Sequence, residues 1–345
     1  MSEEKALKIT MLGPTGVGKT SILTVMRKAM DLAVSNSILR LNPGKPDDDG
    51  FAKSIALGAF AEYERKLSQL IDTKNFTVQG GLDGNNQNTE FYFYLSNLKG
   101  DRNSSKLLLE FQDYPGGWIL PNDSQRSTVV EYLKNSPVTI IAIDTPALIE
   151  KDGQYNEPIN MSTDITYLLR EAYEADNNQS PQKRLVIFAP VKCEKYMQAN
   201  QTEIINIAIK KRYQTLLGDL KQRRTHIAAV IIPIQTVGGV VFSYIDKRQK
   251  NPGEIPPFWY QQRNNPKWES VNAEQPMRFI LAFILRNYLQ EKQEKRGLWL
   301  QFIYKWLDID KDLKEAVKYF AQSSVNQSAA SGIELIQGDT LLTVN

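Results

Sequence analysis

The stretch Leu7-Lys-Ile-Thr-Met-Leu-Gly13-Pro-Thr-Gly-Val-Gly-Lys19-Thr20 decides how the rest of the chain is read. Its first six residues are mostly apolar and short, as a buried strand requires. Gly13 to Thr20 then fits the spacing G-x-x-x-x-G-K-[ST], and a helix pattern runs from about Lys19 to Met30. The chemistry needs that order. In the loop Gly13, Pro14, Thr15, Gly16, Val17 and Gly18, the glycines let the backbone curl until its N–H groups point inward at a polyphosphate. The helix N-terminus adds partial positive charge. Lys19 is spaced to reach the β and γ phosphates, the Thr20 hydroxyl to ligate Mg²⁺, and Ser21 to complete the contact set.

A second element lies on Leu107-Leu-Leu-Glu-Phe-Gln-Asp113, followed by Tyr-Pro-Gly116-Gly117-Trp118. An acid ending a buried strand is costly unless it holds a metal or a bonded water. Asp113 is therefore the expected second Mg²⁺ residue, and the Gly116 N–H the expected contact to the terminal phosphate.

Outward from these, apolar runs alternate with helical patterns. Glu90–Leu95 and Lys106–Gln112 read as two adjacent antiparallel strands, and Val138–Ile143, Leu185–Ala189 and Ile227–Ile234 as three more. Helices are expected over 51–71, 124–135, 164–176, 202–223 and 277–291. Continuous apolar strands between helices predict an α/β fold with a mainly parallel six-stranded sheet covered on both faces. The expected domain spans 1–291, with a helical insertion over about 31–88 and an ordered loop insertion over about 246–276. A helical extension over 292–322 (298–307 and 311–320) and a loose polar tail over 323–345 follow.

The chain has 345 residues, 42 Lys+Arg against 39 Asp+Glu, and 41 % apolar residues, enough for a large core. That balance argues against a nucleic-acid binder. A single cysteine, Cys193, excludes an intramolecular disulfide, and with the single His226 it excludes a zinc site built from His and Cys alone. No apolar run approaches the roughly 20 residues that span a bilayer. The acidic, strand-like MSEEKALKIT does not read as a signal peptide, so a soluble cytoplasmic protein is expected.

The phosphate loop, the Asp113-Tyr-Pro-Gly116 element after an antiparallel strand pair, and Val191-Lys192-Cys193-Glu194 after a later strand together resemble the Ras-like, translation-factor-related class of P-loop GTPases. They are also similar to bacterial GTPase domains of that class found in multi-gene systems. The likeness covers about 6–291. It implies Mg²⁺-dependent GTP binding, γ-phosphate hydrolysis, and a switch role toward a protein partner. By position in the family's [NT]-K-x-D element, it implies that the Lys192 stem lies on the purine and that Glu194 accepts guanine N–H groups. The 235–239 loop would touch the base through its backbone.

The chain departs from the family at several points. Val191 stands for Asn or Thr, Glu194 for Asp, and Gly117 for the Gln that orients the attacking water, which predicts slow intrinsic turnover. Thr73, Thr77 and Thr89 are three candidates for the threonine that completes Mg²⁺ coordination. ATP is not excluded as the nucleotide. An ATPase or small-molecule kinase, and a non-catalytic module holding a structural nucleotide, remain the alternatives. Asp47-Asp48-Asp49 reads as a solvated turn, Asp144 as a turn cap, and the stripe Trp299, Phe302, Ile303, Trp306 and Leu307 as a face that docks on the domain's own core, with a partner-binding face as the alternative.

Overall fold

A computed structural model of the protein describes residues 6–33, 39–45, 50–77, 88–97, 107–174, 181–249, 254–294, 311–326 and 331–343. The strands are β1 (Leu7–Leu12), β2 (Leu39–Pro43), β3 (Asn75–Thr77), β4 (Thr89–Asn97), β5 (Leu107–Asp113), β6 (Val138–Asp144) and β7 (Arg184–Val191). Four more follow: β8 (Ile227–Ile231), β9 (Val240–Ile245), β10 (Phe258–Gln262) and β11 (Glu334–Gln337). The helices are α1 (Lys19–Ala33), α2 (Gly50–Asp72), α3 (Arg126–Asn135), α4 (Thr145–Gly153), α5 (Asn156–Asn160) and α6 (Ser162–Glu174). After them come α7 (Glu194–Gln198), α8 (Thr202–Arg212), α9 (Gln214–Gln222), α10 (Gln275–Glu294) and α11 (Lys311–Asn326).

The main sheet has eight strands in the order β11-β8-β7-β6-β1-β5-β4-β2. The neighbours β5, β1, β6, β7 and β8 run parallel, whereas β4, β2 and β11 pair antiparallel. The sheet is therefore mixed and larger than the six strands expected. All six expected strands are present, and the additions are β2 and β11. β2 hides in sequence because it is five residues long, ends in Pro43 and leads into Gly44. As an edge strand it tolerates that proline, and Leu39 and Leu41 turn inward. β11 corrects the expected loose tail, since its pairing with β8 comes from only four residues in a polar setting.

Apolar strands without alternation follow from burial on both faces. Ile140, Ala142, Ile187 and Val230 point to a core shared with α1, α10 and α11, while Ile141, Ile143, Val186 and Ile231 point to one shared with α3, α6, α8 and α9. The helix expected over 202–223 is two helices meeting at Tyr213, whose ring packs edge-on against Phe188 at 5.6 Å. The insertion over 31–88 is not purely helical, because it also supplies β2 and β3. The 246–276 segment is more than a loop. Its β10 is the middle strand of a second sheet, β3-β10-β9, whose Phe242, Phe258 and Tyr260 join the first core. The expected helix over 298–307, with its Trp299–Leu307 stripe, and the Asp47–Asp49 run lie outside the described residues.

Candidate functional site

The site gathers at the carboxyl ends of β1, β5, β6 and β7, where parallel strands hand over to loops and helices. β1 ends at Leu12, and Gly13 to Gly18 curl back before α1 begins at Lys19. Gly18 sits at φ +114, and a Cβ there would lie 3.0 Å from Val191 Cγ2 at the end of β7. The 13–18 loop is thus packed against the end of β7. Ser21 lies in the first turn of α1, and Ile22 N donates to Gly18 O at 3.0 Å.

Lys19 is buried, and its Nζ donates to Gly13 O at 2.8 Å and to Pro14 O at 3.4 Å. It stands 3.9 Å from Asp113 Oδ1. Burial pulls its ammonium below the usual lysine range, and the Asp113 charge opposes that shift. Thr20 Oγ1 donates to Asp113 Oδ2 at 2.6 Å. Asp113 is fully buried, so desolvation pushes its carboxyl above the usual range, partly offset by Lys19 and Thr20. A hydroxyl and a carboxylate beside one ammonium form a hard-oxygen donor pair, and this chemistry fits Mg²⁺. The two residues would hold the ion, which when bound neutralises phosphate charge.

The three candidate threonines separate. Thr73 Oγ1 donates to Gln69 O, closing the end of α2, and Thr77 lies opposite Trp259 in the small sheet. Thr89 is the cross-strand partner of Asp113 in the β4–β5 ladder. Directly opposed residues lie about 5 Å apart at Cα, so only Thr89 of the three is brought beside Asp113.

Gly116 opens a short 3-10 turn (Gly116–Ile119) and lies directly against the phosphate loop. A Cβ on it would fall 1.9 Å from Thr15 N and 2.2 Å from the Pro14 carbonyl carbon. Gly117 faces open space, with nothing within 4 Å of a Cβ. Tyr114, not singled out by sequence, places its ring 5.8 Å below Lys19 Nζ and stacks on Trp118 at 6.1 Å.

Just after β7, Lys192 adopts φ +57, a left-handed conformation that a lysine rarely takes. Its Nζ donates to Gly16 O at 3.0 Å and to Asp144 Oδ2 at 2.5 Å. Glu194 begins α7, and its Oε1 accepts from Thr236 N (2.8 Å), Thr236 Oγ1 (2.9 Å) and Val237 N (3.3 Å). This carboxylate therefore ties α7 to the 235–239 loop, the loop expected to border the base. Asp144 does cap α4, through Ala147 N at 2.9 Å, but its bond to Lys192 was not legible in sequence. Cys193 is buried, with Sγ donating to Pro190 O and Ile234 O, and burial pushes its thiol well up. That is the profile of an inert packing residue.

No protein-family model and no curated protein matches the chain. Among solved structures, the chain is similar to the signal recognition particle receptor SRb-GDP from Chaetomium thermophilum at 15 % identity and a TM-score of 0.33. That match covers 68 % of this chain and 92 % of that one. Among the described residues, no helix is long and apolar enough to cross a membrane.

Proposed function

We propose that this chain is a Mg²⁺-dependent GTP-binding protein that hydrolyses the γ-phosphate slowly and serves as a nucleotide-dependent switch for a protein partner. One observation carries the reading: Thr20 and Asp113, far apart in sequence, meet at 2.6 Å beside the buried Lys19. A carboxyl held in that cost-laden position has its chemical use when a metal-bound polyphosphate sits on the loop.

Each residue then has a role. The 13–18 backbone and Ser21 hold the phosphates, and Lys19 stabilises charge developing on the β–γ bridge. Thr20, Asp113 and Thr89 would hold the ion. Gly116, against Thr15, is where a terminal phosphate would be sensed. Lys192 and Glu194 border the base, and Glu194 is oriented by Thr236. Gly117 offers no side chain to orient water, so turnover is slow until a partner supplies one.

Calorimetry with Mg²⁺ and GTP, GDP or ATP, followed by single-turnover hydrolysis, tests the proposal. GTP and GDP should bind with ATP much weaker, and the isolated chain should turn over far more slowly than once per second. ATP binding as tightly as GTP overturns the base assignment, and no heat with any purine triphosphate overturns the whole.

A further inference from the structure

We infer that Asp144 is the positioning residue for Lys192, and that through it β6 supplies the polar anchor which Val191 withholds from the base corner. The inference rests on the nucleotide-site reading above and deepens it.

Val191 is apolar and 1 % exposed, so the residue before Lys192 gives no side-chain hydrogen bond to the loop beneath it. Its register partner in the parallel β6–β7 pair is Asp144. The carboxylate thus stands level with the position where the polar group is missing, one strand over.

The two oxygens of Asp144 divide their work. Oδ1 accepts from Ala147 N at 2.9 Å and caps α4, whereas Oδ2 takes the Lys192 ammonium at 2.5 Å. Both side chains are well covered, at 6 % and 18 % exposure, so the pair is shielded from solvent screening. The same ammonium donates to Gly16 O. Asp144, Lys192 and the phosphate loop therefore form one chain of bonds.

This fixes the conformation of Lys192. Its left-handed backbone is strained for a lysine and persists only where surrounding contacts over-determine it. The end of the side chain is held by Asp144 and Gly16, so the methylene stem behind it is presented in one direction as a wall for the base. A mobile lysine would lose rotamer freedom each time a nucleotide bound; a pre-held one does not.

The main chain at 144 does not depend on its side chain. Buried Asn160 accepts from Asp144 N at 2.7 Å and donates to Asp144 O at 3.1 Å, and it is itself held by Asn156. A substitution at 144 therefore leaves the chain path in place. Asp144→Ser keeps a cap for α4 but not the bond to Lys192, and Asp144→Asn keeps the shape but not the charge.

The test compares GDP with inorganic tripolyphosphate, both with Mg²⁺, on the full chain by calorimetry. Asp144→Ser and Asp144→Asn should each weaken GDP roughly ten- to hundredfold, as expected for loss of a charge-assisted bond, with tripolyphosphate changed less than about threefold. In a Lys192→Met background, Asp144→Ser should add almost nothing, because the two act as a unit. Unchanged GDP binding, equal losses for both ligands, or additive losses in the double variant would each overturn the assignment. A wild-type chain that binds no GDP would overturn the nucleotide reading itself, which separates the two failures.

Discussion

Gly116 touches Thr15: a methyl group added to the glycine would fall 1.9 Å from the threonine's backbone nitrogen. The two segments belong to different loops of the site, and only a residue without a side chain allows them to meet. Gly116→Ala must push one of the loops away, and since the obstacle is backbone, no side-chain rotation relieves it. The variant should lose GTP affinity by about tenfold or more, the equivalent of roughly 1–3 kcal/mol of strain. Gly117→Ala next door, with nothing within 4 Å, is the control and should stay within about 0.5 kcal/mol in stability. Calorimetry and thermal melting on both variants check this.

Lys19 makes its bonds to Gly13 and Pro14 carbonyls, so Lys19→Met removes a charge that the loop holds buried. A nucleotide at a hundredfold excess over its Kd stabilises a protein by about 2.7 kcal/mol. Wild-type melting should rise accordingly with GTP and Mg²⁺, and the variant should show no such rise. A shift of equal size in both would remove Lys19 from the site.

Thr89 alone among the three candidate threonines lies across the ladder from Asp113. Thr89→Ala should raise the Mg²⁺ concentration needed for half-maximal GTP binding about tenfold, the loss of one ligand bond worth roughly 1.4 kcal/mol. Thr73→Ala and Thr77→Ala should leave it unchanged. A magnesium titration with each variant distinguishes the three.

Asn272 Nδ2 donates to Pro233 O at 2.8 Å and to Ser331 O at 2.9 Å, joining the approach to the 235–239 loop to the segment that becomes β11. Asn272→Ala breaks one buried and one partly buried bond at once and should cost about 2 kcal/mol, at roughly 1 kcal/mol per bond. Urea unfolding reads that loss as a lower midpoint with an unchanged slope.

Asp246 accepts from Arg248 Nε at 3.1 Å and from its backbone N at 3.0 Å, and these bonds hold its carboxyl below the usual range. The native state therefore releases this proton at lower pH than the unfolded chain does. The stabilisation is present above about pH 4 and is lost as pH falls through the lowered native value. Arg248→Ala should reduce the urea midpoint at pH 6, with the difference from wild type shrinking steadily as the medium is acidified below about pH 4.

Much of this was legible because long apolar runs and a fixed motif report themselves. The six strands from Leu7 to Ile231 followed from apolar runs, and the expectation that Thr20 and Asp113 serve one site followed from motif spacing and from the cost of a buried acid. Short elements did not. β2 and β11 give four or five residues of pattern, too few to outweigh Pro43 or a polar tail, and β10 lies among Pro and Asn. The choice of Thr89 needed the ladder register, which sequence separation does not encode. Asp144 was legible as a cap, but its hold on Lys192 depends on which strand lies beside β7.

Trp118 follows Gly116 by two positions and stacks on Tyr114 at 6.1 Å, with an interplanar angle of 10°. An indole fastened to the turn that abuts the 13–18 loop is an intrinsic fluorophore in the right place. Displacement of Gly116 from Thr15 would tilt that ring pair and alter its emission, so the protein carries its own optical reporter of the contact.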